Sequence, residues 1–307
     1  MTIKTVLVTG GAGFIGSYVV DRLVADGLEV ISFDHLQAPP PAVAPKGVLR
    51  FLGDIRDAEA VTEAMSHADG FIHLAGVLGT QETIGNPKPA IMTNITGGLN
   101  VLEAAAQYSI PGVNIAVGNH WEQNPYSISK STVERLCRMY NAYRGTQVTV
   151  VRALNAYGPR QSVAAPYGSS KVRKIIPSFV MRALHGDPIE VYGDGSQIMD
   201  MVYVGDVANF LVDALWMTSQ WGATPQTIEA GTGRDTTVLD IAKAVVAEVG
   251  QGEIQHIPLR AGETPGAVVK ADLSTHGGLY PEGYAFRSLE NGLAETVAYY
   301  RRVNDAV

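Results

Sequence analysis

The chain has 307 residues, enough for one large or two ordinary domains with a sizeable core. Apolar residues make up 46% and charged residues 17%, which excludes a disordered chain, and a net charge of −7 argues against a nucleic-acid-binding face. One cysteine, Cys137, excludes an internal disulfide and fits a reducing cytoplasm, no apolar run is long enough to span a membrane, and a strand starting at about residue 3 argues against a signal peptide.

The opening stretch, Lys4 to Ser17, organises the rest of the chain. A short apolar run, Val6 to Val8, reads as a strand and stops at Thr9-Gly10. Gly10, Gly13 and Gly16 then stand at the spacing GxxGxxG, and Tyr18, Val19, Val20, Leu23 and Val24 repeat as the buried face of a helix. Glycines there let the backbone approach a ligand, and the helix start offers free N–H groups and a positive dipole end to a phosphate. A second strand, Glu29 to Phe33, ends at Asp34, about 20 residues beyond the glycines, where a carboxylate receives the ribose hydroxyls of a dinucleotide. No Arg or Lys follows Asp34 closely, so the pattern predicts NAD in preference to NADP.

Ala38 to Pro45 reads as an exposed Pro/Ala loop, and Val48 to Leu52 as a strand ending at Gly53-Asp54-Ile55-Arg56-Asp57. Asp57 caps a helix that runs to about Met65. Phe71 to Leu74, Val113 to Val117 and Val148 to Val151 are strands, alternating with helices over Ile91–Tyr108 and Ser127–Tyr143. The alternation predicts an α/β fold, a doubly wound parallel sheet covered on both faces. Residues 1–157 read as the dinucleotide-binding domain, with 202–231 returning to it; 158–201 and 232–307, with helices at Val238–Val249 and Leu289–Tyr300, form a smaller substrate lobe. The loop from Gly158 to Ile175 carries Arg160, Lys171, Arg173 and Lys174, the only concentrated basic segment of an acidic chain. It reads either as a solvated surface loop or as a seat for an anionic, phosphate-bearing ligand.

Tyr126 and Lys130 form YxxxK at the start of a helix, four residues apart and so on one face. An ammonium beside a phenol favours the phenolate, and an oxidised nicotinamide adds positive charge, so the pair makes a usable general base.

With these residues in place the chain resembles the extended short-chain dehydrogenases/reductases, and within them the NAD-dependent nucleotide-sugar epimerases and dehydratases. The resemblance runs through TGGAGFIGS (Thr9–Ser17), Asp34, GDIRD (Gly53–Asp57), HLAG (His73–Gly76), Asn94, YSISK (Tyr126–Lys130) and RALNAYGPR (Arg152–Arg160). It continues through VYGDG (Val191–Gly195), VYVGDVA (Val202–Ala208), RAGE (Arg260–Glu263) and Asp272. It implies a Rossmann-type sheet of about seven strands in the order 3-2-1-4-5-6-7 and a C-terminal lobe that holds a nucleoside-diphosphate sugar. It further implies a homodimer formed through helices near 95–108 and 127–144; with the cysteine, charge and apolar runs above, the expectation is a cytoplasmic protein with no metal, nucleic-acid or membrane partner. By the same resemblance Gly10, Gly13, Phe14, Ile15 and Gly16 lie on the NAD pyrophosphate and Asp34 on the adenosine ribose. Asp54 and Ile55 flank adenine, Leu74 and Ala75 line the cofactor cleft, and Lys130 also holds the nicotinamide ribose. Asn155 and Arg260 look like substrate contacts.

Three departures bear on the chemistry. The family places Ser or Thr after the fifth strand, but VGNHWEQNPY puts His120 in that slot with Asn119 beside it. Either one hydrogen-bonds a substrate oxygen, or the loop is rebuilt without such a partner. The segment between that strand and Tyr126 is short, leaving the register of Asn119 through Glu122 open by a position. The pattern GDGxQxRD reads GDGSQIMD, so Met199 replaces a phosphate-binding arginine, for which the basic loop around Lys171 to Lys174, tested at Arg173, is the expected substitute. The favoured reaction is 4-epimerisation through a transient 4-keto sugar, with Tyr126 as base. Trp121, where dehydratases carry an acid, counts against 4,6-dehydration, while Glu122 keeps decarboxylation or C5 chemistry open. An NADPH-consuming reductase lacks its 2′-phosphate site, and a non-catalytic sensor is opposed by the retained Tyr and Lys.

Overall fold

A computed structural model describes residues 3–35, 46–260, 263–276, 279–280 and 284–305. The loop expected at Ala38 to Pro45 lies outside them. The strands β1 (Thr5–Thr9), β2 (Glu29–Asp34), β3 (Val48–Leu52), β4 (Gly70–His73), β5 (Pro111–Val117) and β6 (Gln147–Ala153) are all parallel to their neighbours. Ile228–Ala230 adds the seventh strand beside β6, giving the order 3-2-1-4-5-6-7 with the chain reversing direction of growth between β1 and β4. That reversal opens a crevice at the carboxyl ends of β1 and β4.

The period-2 alternation of strands decides which layer each side chain joins. In β1, Val6 and Val8 face one core with Val19, Val20 and Leu23 of α1 (Phe14–Ala25) and with the helix Val204–Trp221. Leu7, between them, faces the other core, made with α2 (Ala58–Met65) and the helices Gly97–Tyr108 and Pro125–Tyr143. All three β1 residues are fully buried, as a strand at the centre of a two-sided layer requires.

A third core belongs to the C-terminal part. Helices Ile175–His185, Val238–Val249 and Leu289–Asp305 pack through Ile176, Val180, Ile241, Val245, Leu293 and Val297. Short parallel pairs join Ile189–Tyr192 to Ile254–Ile257 and Ile198–Met199 to Val268–Val269. Met201–Tyr203 pairs with Asn155–Tyr157 in a ladder of its own, so of the returning segment only Ile228–Ala230 enters the seven-stranded sheet. Asp200 anchors this junction: its buried carboxylate accepts from Thr232, Gly233 and Ala271 backbone N–H groups at 3.0, 2.8 and 3.2 Å.

Candidate active site

The ends of β1, β4, β5 and β6 open on one cleft of about 740 Å³, closed on its far side by the C-terminal lobe. At the end of β1, Gly10 has φ +74°, and a β-carbon there would meet the Ala75 backbone nitrogen at 2.8 Å. The next helix starts at Gly13 with no side chain capping it, so its first N–H groups face the cleft uncovered. Phe14, Ile15 and Gly16 line the same wall. Asp34 closes the corner: its Oδ2 accepts the Ala12 N–H at 3.2 Å, which ties the end of β2 to the glycine turn.

A side pocket beside Asp34 is formed by Phe33, Gly53, Asp54, Ile55 and Ala75. The Arg56 guanidinium, hydrogen-bonded to Asp54, holds that carboxyl below its usual range. Leu74 and Ala75 are fixed by Thr9, whose hydroxyl accepts their N–H groups at 3.2 and 3.3 Å and bonds His73 Nδ1 at 2.6 Å. Burial pushes the His73 imidazole down to about 3, so it is neutral and serves as a pin between β1 and β4.

Tyr126 and Lys130 reach the cleft from the start of the Pro125–Tyr143 helix. Asn124 caps that helix by accepting the Ser127 N–H at 2.9 Å, and Pro125 fills the first helical position, where a missing N–H costs nothing. Lys130 is 5% exposed, and burial pushes its ammonium down to about 8. Burial also pushes the Tyr126 phenol above its ordinary value. Asn94, on a π-helical turn over Ile91–Thr96, holds the facing wall. It accepts the Val77 N–H at 2.7 Å and donates to Ser129 at 2.9 Å, so the segment after β4 and the Tyr126 helix share one anchor.

The loop after β5 separates its candidates. Asn119 and Glu122 line the cleft with Tyr126 and Lys130, and His120 is not among the lining residues. The His120 ring packs edge-on against Trp121 with its Nδ1 3.2 Å from the Gly118 carbonyl. Burial raises the proton affinity of Glu122, hydrogen bonds from Asn119 and Asn124 act against it, and nearby Glu263 adds to it.

At the lobe end, Asn155, Arg173, Met199 and Arg260 all line the cleft. Arg260 lies 4.5 Å over the Tyr192 ring and donates to Glu263 at 2.8 Å. The Arg173 guanidinium is already engaged, donating to Glu190 and to the Tyr192 hydroxyl at 2.8 Å each. Its neighbour Lys174 lines the cleft with an ammonium that makes no hydrogen bond among the described residues, and burial lowers its pKa against the pull of Glu82. Asn124 is the residue that a reading by motif passes over, and Lys174 is named by such a reading only as one cation of the basic loop. An Asn before Pro at a helix start is a capping signature visible in the sequence, whereas nothing local distinguishes Lys174 from Arg173.

Residues 6–119 and 115–231 match the model of the NAD dependent epimerase/dehydratase family. The chain belongs to that family. The UDP-glucose 4-epimerase of Thermus thermophilus, solved as a complex with NAD, is 31% identical, with a TM-score of 0.82 over 97% of this chain and 99% of its own. That of Thermotoga maritima, solved with UDP-glucose, is 30% identical, with a TM-score of 0.84 over 98% and 99%. UDP-glucuronic acid decarboxylase 1 of Xenopus tropicalis is 27% identical over 97% of this chain and 72% of its own.

The epimerase/dehydratase family is NAD-dependent, and the residues here fit that cofactor. The uncapped helix start behind Gly10, the side-chain-free approach at Gly13 and the acid at Asp34 provide for a pyrophosphate and a ribose diol in the order a dinucleotide needs.

Proposed function

We propose that this chain is an NAD-dependent 4-epimerase of nucleoside-diphosphate sugars. The observation that carries the reading is the meeting, in one cleft, of Tyr126 and Lys130 with the glycine turn and Asp34. The matching epimerases of Thermus thermophilus and Thermotoga maritima support it. When bound, NAD supplies a reversible hydride acceptor and a positive ring beside the phenol. Tyr126 takes the proton from the sugar 4-hydroxyl as that carbon becomes a ketone and gives it back when the opposite face is reduced. Lys130 stabilises the phenolate and holds a ribose hydroxyl. Asn119, in the cleft where His120 is not, is the amide suited to the sugar oxygen. Arg260, Lys174 and Asn155 receive the diphosphate end.

Exchange of Tyr126 for Phe tests the assignment. A loss of about 100-fold or more in turnover, with NAD still bound, supports Tyr126 as the base; undiminished turnover rejects it.

A second reading is favoured by Glu122. A half-buried carboxyl with raised proton affinity in the same cleft suits C5 deprotonation or the decarboxylation of a uronic acid. Assembly as a homodimer through the helices Gly97–Tyr108 and Pro125–Tyr143 belongs to the same proposal, supported by exposed Ile128, Met139 and Tyr143. Sedimentation of the wild type and of an Ile128→Glu variant tests it: a dimer that dissociates on substitution is expected, and a monomeric wild type contradicts it.

A further inference from the structure

Asn124 is buried at the junction of the loop after β5 and the helix that carries Tyr126, and its side chain is used at both ends. Its Oδ1 accepts the Ser127 N–H at 2.9 Å, and its Nδ2 donates to Glu122 Oε2 at 2.9 Å. Asn119 donates to the same oxygen at 2.7 Å. The orientation of the Asn124 amide is set by these partners, since turning it over would place an N–H₂ against the Ser127 donor and an oxygen against a carboxylate. Glu122 Oε2 is thus gripped by two neutral donors, while Oε1 makes no hydrogen bond among the described residues.

We propose that Asn124 is a positioning residue that couples Glu122 to the cap of the Tyr126 helix, so that a carboxyl and a phenol from separate segments keep one fixed separation across the substrate. The proposal rests on the second reading above, in which Glu122 is an acid–base group of the cleft, and stands apart from 4-epimerisation. A glutamate on a loop has three free torsions, and an untethered one would spend most of its time in unproductive geometries. The grip removes that freedom without an ion pair, which would otherwise hold the carboxyl ionised. The charged and titratable groups that line the cleft with Glu122 are Tyr126 and Lys130 from the helix, Arg260 with its partner Glu263 from the C-terminal segment, Arg173, Lys174, Glu190 and Tyr192 from the lobe, Tyr157 and Arg160 after β6, and Asp34 and His35 at the cofactor end.

Asn124→Asp separates the two uses of the side chain. Aspartate caps a helix as well as asparagine does, so the Ser127 N–H keeps its acceptor; the melting temperature should match the wild type at low pH, where Glu122 is protonated, and fall below it as the pH rises and the two carboxyls repel. The donor to Glu122, however, becomes an anion. The Glu122 carboxyl, followed by carbon-13 NMR against pH in the full-length protein, is expected to titrate about one pH unit higher. The limb of the pH–rate profile that Glu122→Gln removes should move upward with it. Asn124→Ser, which keeps a cap and withdraws the long donor, should move both in the same direction by less.

A Glu122 carboxyl that titrates in Asn124→Asp as in the wild type would overturn the coupling itself. A carboxyl that shifts while Glu122→Gln turns over like the wild type would instead bring down the acid–base reading of Glu122, and the positioning role with it. Tyr126→Phe tests the base, and product analysis in D₂O decides the epimerase reading separately from both.

Discussion

Gly16 lies against the carbonyl of Gly10, so close that a β-carbon at Gly16 would stand 2.0 Å from that oxygen. The contact is backbone on backbone, and neither partner can rotate away. It brings the start of α1 down onto the end of β1, which is where the uncapped N–H groups face the cleft. Gly16→Ala is therefore expected to lower stability by roughly 1–3 kcal/mol or more and to abolish NAD binding. Thermal melting and calorimetric titration with NAD measure the two effects.

The burial of Lys130 carries a cost that depends on pH. Its ammonium is pushed from 10.5 down to about 8. Between those values the unfolded chain binds more protons than the native one, so this lysine's contribution rises with pH across that window, and its full cost is felt below about 8. Lys130→Met should accordingly melt higher than the wild type at pH 7, with an advantage that shrinks as the pH approaches 10.5. The same variant should lose turnover. Greater stability with lost activity is the sign of a charge kept buried for function.

On the proposed function, two adjacent cations should respond differently to the substrate diphosphate. Arg173 is held by Glu190 and Tyr192, whereas the Lys174 ammonium makes no hydrogen bond among the described residues. Lys174→Met is expected to raise KM about 10-fold with kcat little changed, the pattern of lost uniform binding. Arg173→Ala should act first on the melting temperature, by releasing Glu190 and Tyr192. Steady-state kinetics beside thermal melting separates the two patterns.

Asp34 is expected to set the choice of cofactor. Its carboxylate, bonded to the Ala12 N–H, repels a 2′-phosphate and suits two hydroxyls. Asp34→Ser is expected to weaken NAD binding and narrow the preference for NAD over NADP by about 10-fold, as read by fluorescence titration with each nucleotide.

How much can be read from the chain alone depends on how local the causes are. Val6, Leu7 and Val8 announce a two-sided central strand because all three are apolar and β-sheet geometry alternates them. The glycine spacing and YxxxK are legible because each is a short run on one element. The helix Ile175–His185 is harder to see. Its N-cap, Lys174, has no side-chain cap hydrogen bond, and Pro177, acceptable in a first turn, reads as a breaker. The separation of His120 from Asn119 is not readable either. It depends on the Trp121 ring, and on Ser131, which donates to the His120 carbonyl at 2.9 Å from eleven residues away. Arg173 reads as available for phosphate because Glu190, its partner, comes from a later strand.

In the proposed reaction Tyr126 works a reversible oxidation at the sugar C4. Its most direct test is NMR of reactions run in D₂O with NAD and a panel of UDP-, dTDP- and GDP-sugars. The expected product is the 4-epimer, free of carbon-bound deuterium, because the hydrogen leaves C4 and returns to it without exchange with solvent. Deuterium at C5, a 4-keto-6-deoxy sugar or a pentose would contradict the epimerase reading and place Glu122 in the chemistry.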